Sequence, residues 1–209
     1  MFRQRIRLRY SIGGDKRFLS HHDLMRLWLR ALRRAELPLR MSEGFHVRPK
    51  VSFALARGVG IASQSEWFEF ELADWVNPDA VYRALAPRLP AGIAIVELSV
   101  VSPGDRALAV RAVYVAELPG LPDDIDERMA ALLARAEIIV ARGDPEAPRR
   151  VDIRPLLESV QRDGPRLVIV ARCKNEGTLK PEEVLRELGL GTDEIAHGLI
   201  TRTELALAS

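Results

Sequence analysis

The residues in this chain that could do chemistry crowd into its first fifty positions. Ser20, His21, His22 and Asp23 are consecutive, and His46 follows in a later loop. Hydroxyl, imidazole and carboxylate together could ligate a metal or run acid–base and nucleophilic steps. Their spacing argues against both. Adjacent side chains on a helix diverge by about 100°, whereas helical zinc sites set two histidines at i and i+4. Ser20 three residues before Asp23 is a helix-start pattern, which occupies the serine oxygen with an orphan backbone amide. Cys173 is the only cysteine. One thiol excludes an internal disulfide, and an iron–sulfur cluster or cysteine-type zinc site held by this chain alone. Gly58-Val59-Gly60 lacks the third glycine and the lysine of phosphate-cradling loops. No catalytic residue, no metal and no cofactor on this chain is therefore the expectation. Ser20, His21, His22, Asp23 and His46 remain as a possible polar site.

Phosphate recognition is the chemistry better supported. Arg3, Arg5, Arg7 and Arg9 alternate with Gln4, Ile6, Leu8 and Tyr10. Successive side chains of a strand point to opposite faces, so one face is a guanidinium row and the other packs a core. Arginine offers planar, fixed donors that match phosphate oxygens, and such a row suggests a polyanion such as RNA. Arg17, Arg26, Arg48 and Lys50 are secondary contacts, and Trp67 is the aromatic best placed to stack on a base. The competing reading is that carboxylates on the next strand neutralise the row. Glu69 and Glu71 would lie beside it, two acids against four arginines.

Those residues need elements to hold them. The chain has 209 residues, 47% hydrophobic and 29% charged, with a net charge of +2, which fits a folded globular protein. With no long apolar run and no signal-peptide pattern, a cytoplasmic protein with no membrane partner is expected. Charge is segregated: residues 1–60 hold 14 Lys and Arg against 4 Asp and Glu, and residues 101–209 hold 15 against 19. Residues 3–10 read as a strand. A helix follows from Ser20 to about Glu36, with Leu24, Leu27, Trp28, Ala31 and Leu32 at helical period and His22, Arg26, Arg30 and Arg33 opposite. Strands are expected over 50–55, 65–72 and 92–101, with a helix from Asn77-Pro78 to near Pro87. This order is a split β-α-β unit, the ferredoxin-like arrangement. Residues 108–207 nearly repeat it: strand 108–117, helix 123–136, short strands at 137–141 and 151–153, strand 166–173, helix 181–188 and strand 199–207. The fold class expected is α+β, two tandem ferredoxin-like modules with antiparallel sheets, at 1–101 and 102–209.

Three stretches carry a family resemblance: Arg17-Phe18-Leu19-Ser20-His21-His22-Asp23-Leu24-Met25-Arg26, then Ser42-Glu43-Gly44-Phe45, then Pro49-Lys50-Val51-Ser52-Phe53-Ala54. With them the chain resembles the radical SAM-linked (radical SAM-associated) proteins, bacterial domains of unknown function fused to or encoded beside radical S-adenosylmethionine enzymes. Lys180-Pro181-Glu182-Glu183-Val184-Leu185 and Thr201-Arg202-Thr203-Glu204-Leu205 fit the family's C-terminal part. The family's pattern after Gly-Phe is Asn-Pro-His-Pro, and here it is His46-Val47-Arg48-Pro49. A guanidinium is neither a metal ligand nor a base, so only a phosphate-binding role survives that exchange. The resemblance implies a radical SAM enzyme as partner. Joined to the charge pattern, it gives a non-catalytic accessory protein that binds or presents an RNA substrate. Two alternatives stand beside it: a protein-only docking module for that enzyme, and a metal-independent RNA-processing enzyme.

Overall fold

The computed structural model describes residues 4–43, 46–102, 104–144, 146–174 and 178–208. Arg3 and Phe45 lie outside them. The chain forms two compact units, one of Met1–Ala109 with Leu207–Ser209 and the other of Val110–Ala206. Both are mixed α+β with antiparallel strand pairs.

The first unit runs β1 (Gln4–Ile12), a 3-10 turn (Gly14–Phe18), α1 (His21–Arg34), β2 (Val51–Phe53), β3 (Ala62–Leu72), α2 (Pro78–Leu85), a second 3-10 turn (Ala86–Arg88) and β4 (Ile93–Val101). Its strands lie in the order β4-β1-β3-β2. β1 is antiparallel to both neighbours, with Arg5, Arg7 and Arg9 opposite Glu71, Glu69 and Trp67 on β3 and opposite Val101, Ser99 and Glu97 on β4. The alternation in the sequence therefore becomes two faces. Ile6, Leu8 and Tyr10 are fully buried with Phe68, Phe70 and Leu72 against α1 and α2. Trp28 of α1 stacks on Phe68 at 4.7 Å between ring centroids.

Local chemistry fixes both helix starts. Ser20 Oγ accepts from the Asp23 amide at 3.2 Å, and Asn77 Oδ1 accepts from the Asp79 amide at 2.9 Å ahead of Pro78. Nothing in the sequence around Arg57 marks it, yet it ties the approach to α1 in place. Its buried guanidinium donates to the carbonyls of Arg17 (2.7 Å), Gly58 (2.9 Å) and Leu19 (3.2 Å), and to that of Ile61.

The second unit runs β5 (Ala109–Glu117), α3 (Ile125–Ala134), β6 (Ile139–Arg142), β7 (Arg149–Asp152), β8 (Leu157–Asp163), β9 (Arg166–Arg172), α4 (Pro181–Glu187), α5 (Thr192–His197) and β10 (Leu199–Leu207). Its main strands lie in the order β10-β5-β9-β8. Here the sequence expectation is corrected. The short strands near 137–141 and 151–153 pair only with each other, as the β6–β7 hairpin. The strand beside β9 is β8, which the polar run Gln161-Arg162-Asp163-Gly164 concealed. The Lys180–Leu185 motif has a structural role. Glu183 accepts from the Lys180 amide at 3.1 Å and takes a two-pronged ion pair from Arg142, both distances 2.7 Å.

Candidate functional site: a basic concavity on the first unit

The arginine row does not stand open. Arg5 Nη2 meets Glu71 at 2.8 Å and Nη1 lies 3.8 Å from Glu69. Arg7 Nε donates to Glu69 at 2.8 Å, and its Nη2 reaches Asp105 Oδ1 at 3.1 Å. Arg9 pairs with Glu97 at 3.1 Å, and its guanidinium carbon sits 5.9 Å from the Trp67 ring centre. Arg40 joins Glu71 at 2.7 Å. The segment after β4 folds across this face: the Asp105 carbonyl accepts from Arg5 at 2.9 Å, and the Ala107 amide donates to Glu69 at 3.1 Å. Arg5 is thereby buried. The expected surplus of positive charge on the strand is corrected for a countable reason. Glu97 and Asp105 join Glu69 and Glu71, so four carboxylates meet the three described arginines of the row, Arg5, Arg7 and Arg9, and Arg40 is held between Glu71 and Glu43, at 2.7 and 3.8 Å.

The electrostatics of Glu71 follow from this packing. Burial pushes its carboxyl up, but hydrogen bonds from Arg5 and Arg40, and their charges, outweigh burial and hold it below its ordinary value of 4.5.

The uncompensated charge lies beside the network. A concavity of about 570 Å³ opens above the sheet edge, with Arg5, Glu69 and Glu71 among its lining residues. Its other polar walls include Ser42, Arg48, Lys50 and Arg106. The loop is shaped locally: the Ser42 amide donates to the Arg48 carbonyl at 2.7 Å, the Lys50 amide to the Arg40 carbonyl at 2.9 Å, and the Arg48 amide to Ser42 Oγ at 3.1 Å. Arg48 and Arg106 are exposed and Lys50 is half-buried. None of the three has a carboxylate partner among the described residues. Arg5, Arg7 and Arg40 are already engaged by Glu69, Glu71, Asp105 and Glu43, so these three are the cations of the site without a carboxylate partner.

Other expected residues fall elsewhere. Ser20 is the α1 cap and Asp23 bonds it, Ser20 Oγ to Asp23 Oδ2 at 2.7 Å. His21 sets its ring edge-on to Phe53 at 5.1 Å, while the exposed His22 ring is 6.2 Å from it. His46 is exposed in the loop. Among the described residues no three His, Cys, Asp or Glu side chains are grouped to hold a metal. Arg26 is exposed and lies 3.7 Å from Asp23, and Arg17 lies over the exposed Phe18 ring at 4.7 Å. Cys173 in the second unit is half-buried, and burial pushes its thiol up despite the nearby Arg202 charge. Arg106 escaped sequence reading because it follows a chain break in the pattern and has no periodic neighbours.

A family model described as an uncharacterized protein conserved in bacteria (DUF2344) matches residues 5–181. The chain belongs to the DUF2344 family. In this DUF2344 chain the match takes in the ion-pair network, the Ser42–Ser52 loop and Arg106. No curated protein matches the sequence. Among solved structures, a crystal structure of an unknown protein from Galdieria sulphuraria is 15% identical over 100% of both chains, with a TM-score of 0.25. No helix among the described residues is long and apolar enough to cross a membrane.

Proposed function

We propose that this protein is a non-catalytic, cytoplasmic accessory of a radical SAM enzyme, and that it binds an RNA substrate through the basic concavity of its first unit. The observation that carries the RNA reading is the trio Arg48, Lys50 and Arg106, three cations with no carboxylate partner among the described residues, over a network whose own arginines are already paired. Guanidinium and ammonium groups fixed on a concave wall suit phosphate oxygens. The buried Arg5 and the half-buried, carboxylate-paired Arg7 position the wall and do not hold the ligand. The radical SAM partner rests on the family resemblance carried by the Arg17–Arg26 and Ser42–Ala54 stretches. The ferredoxin-like reading of both units is supported by a shared order: among the four main strands of each, the first lies between the third and the last.

The experiment is Arg48→Ala with Lys50→Ala and Arg106→Ala, titrated with single-stranded RNA over a range of salt. Losing three phosphate contacts should flatten the slope of log affinity against log salt by about 2. Co-purification with a radical SAM enzyme encoded nearby should persist. Unchanged affinity and slope, or no RNA binding by the wild type, overturns the reading. Release of the enzyme with RNA binding intact makes the concavity a protein dock.

A further inference from the structure

A second groove on the first unit is more basic than the site just described. It is an open cleft of about 860 Å³ between the second half of α1 and the 3-10 turn Ala86–Arg88. Lys16, Arg30, Arg34 and Arg88 line it above an apolar floor that includes Leu19, Leu27 and Leu89, and no carboxylate lines it. None of these four cations has an ion-pair partner among the described residues. Three are exposed and Lys16 is half-buried.

The two concavities share a wall. Met25 of α1 lines the first, while Leu27, Arg30, Ala31 and Arg34 line the second. At 100° per residue from Met25, Arg33, Arg26, Arg30 and Arg34 fall at about 80°, 100°, 140° and 180°. The opposite arc, Leu24, Trp28 and Leu32, is buried in the core. The basic arc is therefore the outward one, and it leads from one concavity to the other. Arg26 to Arg34 spans about 12 Å along the axis. One carboxylate interrupts the arc, Asp23, engaged with Ser20 and Arg26.

Resting on the RNA reading above, we propose that α1 is the saddle of a continuous RNA track: the strand leaves the Arg48–Lys50–Arg106 concavity, crosses Arg26 and Arg33, and settles its sugar-phosphate backbone in the Lys16–Arg30–Arg34–Arg88 groove. No aromatic side chain lines the groove, so it offers no stacking platform. Phosphate contacts fix position without reading sequence. The groove thus adds affinity and length dependence, equally for every sequence.

The test uses the full chain and the exposed triple variant Arg30→Ala, Arg34→Ala, Arg88→Ala, with folding checked by its melting curve. The probes are oligouridine and a mixed-sequence RNA, each at about 4 and about 16 nucleotides. Wild type should bind the long RNA at least about tenfold more tightly than the short one. The groove variant should lose that preference, lose affinity equally for both sequences, and show a salt slope flatter by about 2. The short RNA can occupy either concavity, so it should still bind the variant, through the intact first concavity. A variant that holds long RNA like wild type overturns the track, while loss confined to the Arg48, Lys50 and Arg106 variant leaves the RNA reading standing. If wild type binds no RNA, both fall. If the groove variant keeps RNA but loses its protein partner, the groove is a docking surface and the track is overturned.

Discussion

Replacing Glu69 by alanine tests the claim that the arginine row is a structural network. Glu69 is 3% exposed. Its carboxylate accepts from Arg7 Nε at 2.8 Å, the Ala107 amide at 3.1 Å and Ser52 Oγ at 3.2 Å, with Arg5 at 3.8 Å. Removing it strands Arg7 beside an exposed Asp105 and leaves a buried amide without an acceptor. Breaking one side of a buried pair costs about 3–5 kcal/mol, and the orphaned amide accounts for about 1–3 kcal/mol within that figure. For a chain of this size the loss corresponds to a fall in Tm of about 6–20 °C. The control is Arg9→Ala, whose pair with Glu97 is half exposed, so that the expected cost is below about 1 kcal/mol. Urea unfolding with circular dichroism reads both. Adding Arg7→Met to Glu69→Ala should restore part of the stability, because it removes the uncompensated guanidinium. A Glu69→Ala loss no larger than that of Arg9→Ala, or no recovery in the double variant, would refute the network.

Four further outcomes are expected. Because Glu71 titrates below its ordinary value in the folded state, its stabilisation is present above pH 4.5 and is lost as pH falls through the folded value; acid unfolding of Glu71→Gln should lose that share of the slope. Glu182 goes the other way, since burial pushes it above 4.5 and one oxygen is buried without a partner among the described residues; ionising it costs stability as pH rises from 4.5 through the folded value, so Glu182→Gln should be more stable than wild type at pH 7 and match it at pH 4. Arg57→Lys should not replace the fork that holds four carbonyls, and hydrogen exchange should accelerate across residues 14–20 and 57–61. Gly92 has φ +90° and a Cβ there would lie 2.9 Å from the Gly13 carbonyl, so Gly92→Ala should lower the melting temperature through both strain and contact.

The first unit was legible in its sequence because its signals are local. Alternation gave β1 and β3, Ser20 and Asn77 marked their helices, and heptad-like spacing gave the buried face of α1. What escaped was set by partners far along the chain. Nothing near Arg7 announces Asp105, 98 residues later, and nothing near Arg57 shows the carbonyls it gathers. In the second unit β8 was masked by its polar end, and its place was given to the hairpin, whose strands look equally extended. The basic concavity was half visible: Arg48 and Lys50 stood out in the loop, whereas Arg106 enters only through the fold. Arg30 was visible at helical spacing on the outer face of α1, but Lys16 and Arg88 needed the neighbouring turns to bring them to it.

β1 is synthesised before β3 and β4, the strands that flank it in its own unit. At about 5–20 residues per second, its apolar residues wait on the order of ten seconds for β3 and β4 to emerge. An alternating strand left open for that long invites pairing with another nascent copy. The interleaved arginines oppose it, because two such strands laid together set like charges across from each other. Glu69, Glu71, Glu97 and Asp105 then arrive and discharge the row. The same side chains that lock the finished sheet thus act first as guards against self-association, and replacing them by apolar residues would lower the yield of folded protein during synthesis even where the final structure tolerated the change.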